Sequence, residues 1–489
     1  MRRFLFVAST VVVAVAFAVT LGLWATTPHQ AKAAAGSIAY VPIDPHVFVP
    51  KKTVAGWVAV HNEAAVRNHA AMLWAGLTQR TTQQLRGTRL AVFDTWFTPC
   101  DVYPYDTNCG SVIIRTPLNL EIPEQFFRTP RLLATNIFSS VRYNLPMKRF
   151  VDIGFDGKPY TTGAGLLAAM AAKQTDLVDT AASQSMALKP VYELLSKTQP
   201  TVITYWGGPA LNVALGASTS PNTPGPDTWL KAALIDPTGK ARNDKPVTFC
   251  ANTYDPTGTL VGYRTYTAPA KSYDVIPLSQ FYSIPLAPAD EARIAQLRAN
   301  YHTKQFARLT ATYGTHAVSH AMTGCPEVTP PNPVAALVAM HVVSAELQDV
   351  WTWQTFWWQP DVKPLPGSIG PFAHFDVAEA YWTIDKPPYT FHYAFNPYLE
   401  AEFGTLTFLT NAWPKARDAG SVINLGRTTD CISCHSQATY TVQATPSPSP
   451  GYVAHGNQPQ LSLPQSILAR NLWSLAIRAG HPSPAPARR

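Results

Sequence analysis

Apolar residues recur at helical spacing from Val58 to Leu77, with Ala65, Met72 and Leu73 among the apolar positions and Arg67 exposed, and predict a helix that also carries His61 and His69. Residues 36–55 are broken by prolines and read as extended chain. The run Leu90-Ala91-Val92-Phe93-Asp94-Thr95-Trp96-Phe97, stopped by Pro99, reads as a buried strand. Residues 162–175 predict a short Ala/Leu helix, and residues 218–226, rich in Ser, Thr, Pro and Gly, a loop. Between 227 and 285 the pattern turns strand-like. Trp229–Ile235 runs into an Asp236-Pro237-Thr238-Gly239 turn, Val247–Cys250 follows, and a second Asp-Pro-Thr-Gly turn begins at Asp255, together predicting a small antiparallel sheet. Residues 288–310 predict an amphipathic helix, with Pro288 near its start, Asp290 and Glu291 in the first turn, and Ile294, Leu297 and Tyr301 along one face. Asn332-Pro333 opens a further predicted helix to about Leu347, with Met340 and His341 inside it. Trp351, Trp353, Phe356, Trp357 and Trp358 partly alternate, the signature of a strand against a core. A last amphipathic helix is expected over 465–479, with Leu468, Leu472 and Leu475 on one face, closed by Gly480 and Pro482.

Composition adjusts this picture. Apolar residues make up 46 % of the chain and there are 13 tryptophans, enough for a large core, while 44 prolines argue for many short elements and loops rather than a helical bundle. The expected fold is therefore mixed α+β, an irregular proline-rich body with several helices and a small antiparallel sheet. The net charge of +8 is mild for 489 residues, and no Lys/Arg cluster is interleaved with aromatics as a nucleic-acid groove requires. Nucleic acid is not an expected partner. The basic balance serves solubility, or the steering of an acidic redox partner.

The N-terminus reads as an export signal. Arg2 and Arg3 precede an apolar run from Phe4 to Ala25, and Ala31-Lys32-Ala33 supplies a small-x-small cleavage pattern. The run is long enough to serve alternatively as an anchor through residues 4–25. Either way the body is expected outside the cytoplasm, in a bacterial periplasm. Cys100, Cys109, Cys250 and Cys325 suit an oxidising compartment and allow three disulfide pairings. The expected organisation is a signal or anchor over 1–33, a large body over 34–410, a C-terminal segment over 411–480 and a disordered tail over 481–489. A stiff Ala-Thr-Pro-Ser-Pro-Ser-Pro stretch at 444–450 interrupts the C-terminal segment.

That segment holds the strongest chemical signal, Cys431-Ile432-Ser433-Cys434-His435. C-x-x-C-H is the pattern for covalent attachment of a c-type haem. Two thiols three residues apart can each form a thioether to a haem vinyl, and the following histidine can bind the iron as proximal ligand. At this composition roughly 0.002 matches are expected by chance. A zinc half-site would need two further ligands at matching spacing, but no second C-x-x-C exists and the next histidine downstream is His455. A redox dithiol should follow a strand, whereas Asn424-Leu425-Gly426-Arg427-Thr428 reads as a loop. One haem c, held by Cys431, Cys434 and His435, is the expected cofactor.

The second axial position stays open at this level. No methionine follows Met340, so the C-terminal segment lacks the downstream axial methionine of small soluble cytochromes. The candidates are His455 and His481 downstream, Met340, His341, Met322, His374 and His392 upstream, or an open distal face. His316 and His320 have two-histidine metal spacing but no carboxylate partner. Lys415 and Arg427 are candidates to pair with haem propionates, Glu400 and Glu402 to donate protons, and the tryptophan run to wall a porphyrin.

The C-x-x-C-H residues resemble the c-type cytochromes. Asn396-Pro397-Tyr398-Leu399-Glu400, the Met340-His341 segment and Trp351-Thr352-Trp353 resemble parts of large exported single-haem cytochromes of uncharacterised role. The resemblance implies a haem domain built from the whole body and supplies no substrate. The expected function is one-electron transfer with an unidentified redox partner protein. A haem-dependent periplasmic oxidoreductase with an open distal site and a haem-based sensor are the alternatives. No G-x-S-x-G, H-E-x-x-H or phosphate loop supports other chemistry.

Overall fold

In a computed structural model the described residues are 38–103, 118–123, 136–173, 183–206, 230–254, 260–313, 329–347, 351–381, 396–400, 439–441 and 466–468. The chain divides before Tyr40; of the residues ahead of it only 38 and 39 are described, and all that follows concerns the unit from Tyr40 onward. Among the described residues no helix is long and apolar enough to cross a membrane; the run 4–25 lies outside them.

The body combines helices with mainly antiparallel sheets, as the pattern predicts. In chain order its helices are α1 (Lys51–Ala59), α2 (Glu63–Thr78), α3 (Pro99–Val102), α4 (Leu145–Ile153), α5 (Ala164–Ala171), α6 (Pro288–Tyr313) and α7 (Pro397–Glu400). Its strands are β1 (Arg80–Leu85), β2 (Thr88–Ala91), β3 (Ile137–Ser139), β4 (Arg142–Tyr143), β5 (Met186–Ser196), β6 (Thr201–Trp206), β7 (Leu230–Asp236), β8 (Val247–Tyr254), β9 (Leu260–Ala268) and β10 (Asp274–Pro277). They continue with β11 (Ser283–Pro285), β12 (Pro333–Ser344), β13 (Thr352–Trp358), β14 (Phe375–Ala380), β15 (Thr439–Thr441) and β16 (Ser466–Leu468).

The centre is a seven-stranded sheet in the order β14-β13-β12-β5-β3, with β11 added on β12 and β4 on β5. All of its described pairings are antiparallel. β12 therefore lies between β5 and β13, buried at every position along its length. A strand covered on both faces loses the alternation that marks a half-buried one. Hence the sequence reading of a helix carrying Met340 and His341 is corrected: both lie on β12. Valines at 334, 338, 342 and 343 suit this pleated, fully covered strand. The tryptophan-rich run is a strand, β13, as its partial alternation predicts.

Both faces of the sheet are layered with helices. On one face α2 lays Trp74 on Phe356 of β13, ring centroids 4.4 Å apart and nearly parallel, and on Phe375 of β14 at 4.7 Å. Arg67 of the same helix pairs with Asp376 at 2.9 Å. On the opposite face Ala187, Val343, Trp353 and Ala380 join Met147, Phe150 and Val151 of α4 and Leu166 and Ala169 of α5 in one apolar cluster. Each large side chain buried in these layers contributes roughly 1.5–3 kcal/mol.

Four other boundaries differ from the sequence pattern. The predicted Val58–Leu77 helix is two helices: the backbone turns at His61, whose φ is 52°, and Asn62 Oδ1 caps α2 by accepting from Ala65 N at 3.1 Å. The last residues of the extended 36–55 segment already belong to α1. The predicted 90–97 strand stops at Ala91 and tightens into a 3₁₀ turn over Val92–Thr95, because the Asp94 carboxylate turns back to accept from Ala91 N at 3.0 Å. The first residues of the predicted C-terminal helix, Ser466–Leu468, form β16 paired with β15.

The predicted small sheet is present in two pieces. β8 and β9 form an antiparallel pair, while β7 pairs with β6 antiparallel and with β10 parallel. The turn after β7 is closed by Asp236, which accepts from Thr238 N at 2.8 Å and Ala241 N at 2.7 Å. The second turn, at 255–259, lies outside the described residues. The 288–310 and 162–175 helices appear as α6 and α5.

Candidate functional site

Cys431, Cys434, His435, His455, His481, Met322, His392, His316, His320, Lys415, Arg427 and Glu402 lie outside the described residues. Met340, His341 and His374 lie inside them, and Glu400 lies in the described backbone of α7. His374 ends a 3₁₀ turn at Gly370–His374, and its carbonyl accepts from Gln359 N at 2.8 Å.

β12 separates its two candidates. Its register against β13 pairs Met340 with Phe356 and His341 with Thr355, so successive side chains take opposite faces. Met340 shares the face of Phe356, on which Trp74 stacks, and is wholly buried under α2. His341 shares the face of Val343 and of its cross-strand partners Lys189 and Thr355. Asn396, at the start of α7, donates to Thr355 Oγ1 at 3.2 Å on this second face.

Farther along β5 the same alternation brings Glu193 to the face of Lys189. Its Oε2 is buried without a hydrogen-bond partner, and burial pushes its carboxyl up to about 8. Burial likewise raises the nearby Tyr398 phenol well above its ordinary range, with the Glu193 charge adding to it.

The face under α2 holds two buried polar clusters. In the first, His69 meets Tyr381 Oη at 2.7 Å through Nδ1 and Glu346 Oε1 at 3.1 Å through Nε2. Glu346 also accepts from Val49 N at 2.5 Å and Ser344 Oγ at 2.6 Å. Gln354 Nε2 donates to Tyr381 Oη at 2.7 Å and to Thr352 Oγ1 at 3.0 Å. The pattern closes when His69 carries its proton on Nε2, because Tyr381 then donates to Nδ1 while accepting from Gln354. All six side chains are buried, so this network specifies packing between α2 and the sheet.

In the second cluster Tyr282 donates a short hydrogen bond to Asp94, and Tyr192 donates to Asp94 Oδ1 at 3.4 Å. The Arg80 guanidinium lies 4.3 Å from the Tyr282 ring centroid. Burial raises the Asp94 carboxyl to about 6, against the hydrogen bonds from Tyr282 and Ala91, which lower it. Burial drives Arg142, on β4, below the usual guanidinium range, opposed by Tyr192 and Asp94.

Sequence reading placed His69 on a helix and Asp94 in an apolar run without finding either cluster. The partners are far apart in sequence, and an isolated Glu or Tyr carries no spacing signal. Cys100, in the first turn of α3, is disulfide-bonded. Among the described residues no group of three His, Cys, Asp or Glu side chains could hold a metal ion. No family model, curated protein or solved structure matches this chain.

Proposed function

We propose that the protein is an exported mono-haem c-type cytochrome that transfers single electrons. The observation that carries this reading is the Cys431-Ile432-Ser433-Cys434-His435 sequence. Its donor set fits haem c: Cys431 and Cys434 would hold the group through thioethers, and His435 would ligate the iron. When bound, the haem supplies a one-electron ferric/ferrous couple, and the protein tunes it through axial ligation, burial and hydrogen bonding. Export is supported by the Arg2-Arg3 start, the apolar run from Phe4 to Ala25 and the Ala31-Lys32-Ala33 pattern. A disulfide at Cys100 suits the same oxidising compartment.

The test is a haem stain of the mature protein on a denaturing gel, for the natural chain and for Cys431→Ser and Cys434→Ser. Stain in the natural chain that weakens in either variant supports the reading. An unstained natural chain, or stain unchanged in both variants, overturns it. Carbon monoxide separates the uses of such a haem. A ferrous form that ignores the gas supports electron transfer, and one that binds it favours the oxidoreductase or sensor.

A further inference from the structure

We propose that the face of the central sheet opposite α2 carries a binding recess for a small neutral ligand with a carboxamide group, held between Glu193 and Trp357 beside Tyr398. Nothing in this recess depends on the haem reading.

The register around β12 shapes the recess. One row across the sheet is Val191–Ala339–Trp357, on β5, β12 and β13. The next is Glu193–Ala336–Ser283, on β5, β12 and β11. A regular strand brings every second residue to one face. Ala336 and Ala339 share a face although they are three apart, because β12 is irregular between Leu337 and Ala339. Bulges of this kind re-aim side chains and recur beside binding and active sites. The floor between the two rows is therefore two alanine methyls, with a long side chain on either side, Glu193 on β5 and Trp357 on β13. These outer strands stand two spacings apart across the sheet, about 10 Å.

α7 covers this end of the face. Asn396 donates to Thr355 Oγ1 at 3.2 Å, and Tyr398 Oη donates to Trp358 O at 3.4 Å. The Tyr398 phenol is near enough to Glu193 to feel its charge. Glu193 and Ser283 are each half-buried, so the recess opens to solvent along their row, whereas Trp357 is wholly buried.

Two polar groups of the recess are unsatisfied. Trp357 Nε1 and Glu193 Oε2 are both buried, and neither has a hydrogen-bond partner. Unmade bonds at buried polar groups are destabilising, and native proteins hold few of them. A ligand that bonds both removes the penalty.

Their chemistry selects the ligand. An indole N–H only donates, so the ligand must bring an acceptor. Burial pushes the Glu193 carboxyl up to about 8, so at neutral pH it is an uncharged acid with one O–H and one carbonyl oxygen. A primary carboxamide matches this set. Its N–H and C=O can pair with the acid, and the carbonyl keeps a second lone pair for Trp357. An ammonium group has no acceptor for Trp357, and a carboxylate would be desolvated beside an uncharged acid. Trp357 and Tyr398 add aromatic surface, which favours an amide carried on a flat ring.

The test is a ligand-observed NMR titration of the full chain at pH 7 with benzamide, and with benzoate and benzylamine as charged controls. Benzamide should bind with a dissociation constant on the order of 1 mM or below. The charged analogues should bind about tenfold more weakly or worse. Trp357→Phe keeps a ring, removes the N–H and should weaken benzamide about fivefold. Glu193→Leu should weaken it by about tenfold or more. This second variant removes an unpaired buried carboxyl and is expected to fold at least as well as the natural chain. Glu193→Gln offers one amide to another and should bind within about twofold of the natural chain. That pattern supports the recess. Absence of binding by benzamide, tighter binding of benzylamine or benzoate, or an affinity unchanged in either Trp357→Phe or Glu193→Leu overturns it.

Discussion

His69 Nε2 lies 3.1 Å from Glu346 Oε1, with both side chains wholly buried and 277 residues between them in sequence. The pair joins α2 to the end of β12, and Tyr381 ties the same imidazole to the residue just after β14. Removing one member leaves the others desolvated and unpaired. Glu346→Leu is expected to lower unfolding free energy by about 1–3 kcal/mol, because it leaves the buried His69 N–H without an acceptor. A His69→Leu/Glu346→Leu double variant should lose less than the two single changes added together. Urea unfolding of the four proteins checks this, and additive losses would show that the two residues act independently.

Asp94 gives a pH dependence of stability with a defined sign. Burial holds its carboxyl at about 6 in the folded protein, above the ordinary 3.8. The folded state therefore binds more protons than the unfolded state between these values. The contribution is fully present below about pH 4 and is lost as pH rises through about 6, up to about 3 kcal/mol in all. Asp94→Asn should flatten the stability profile across that window. Urea midpoints measured at closely spaced pH values would show it, and a variant profile as steep as the natural one would reject the assignment.

Glu193 acts in the same direction at higher pH. With its carboxyl raised from 4.5 to about 8 by burial, stability should fall as pH rises through about 8. Glu193→Gln keeps the shape and removes the ionisation. Its thermal midpoint should exceed that of the natural chain above about pH 8. Below about pH 4, where the carboxyl is largely protonated in both the folded and the unfolded chain, the advantage should vanish. Equal midpoints at both ends of the range would count against a buried carboxyl here.

Gly154, which ends α4, sits at φ 65° and ψ −143°, and a Cβ there would fall 1.9 Å from the Lys158 carbonyl oxygen. Gly157 has a similar φ of 70° but nothing within 4 Å of its would-be Cβ. Gly154→Ala is expected to destabilise by well over about 1 kcal/mol, and Gly157→Ala by less, since backbone strain acts alone there. Thermal melts of the two variants distinguish crowding from strain, and equal shifts would mean that the contact relaxes without loss.

Elements whose pattern has one clear period were legible from residues alone. α6 was read from its acidic first turn and one-sided apolar positions, and β13 from alternating aromatics. The stop at Ala91 was not, because it depends on the Asp94 side chain competing for a backbone N–H inside an otherwise apolar run. The break at His61 turns on one residue with positive φ and on the Asn62 cap.

By itself the sequence determined the mixed α+β class and the strand nature of the tryptophan run, both of which depend on local spacing. Only the tertiary structure decided that Met340 and His341 lie on a strand and face opposite ways. A continuous apolar run has no period of its own, and β12 takes its form from hydrogen bonds to β5 and β13. Tertiary structure likewise assembled the His69–Glu346–Tyr381 and Asp94–Tyr282–Tyr192 clusters. Their partners are joined through space by burial, which leaves no trace in the spacing of residues along the chain.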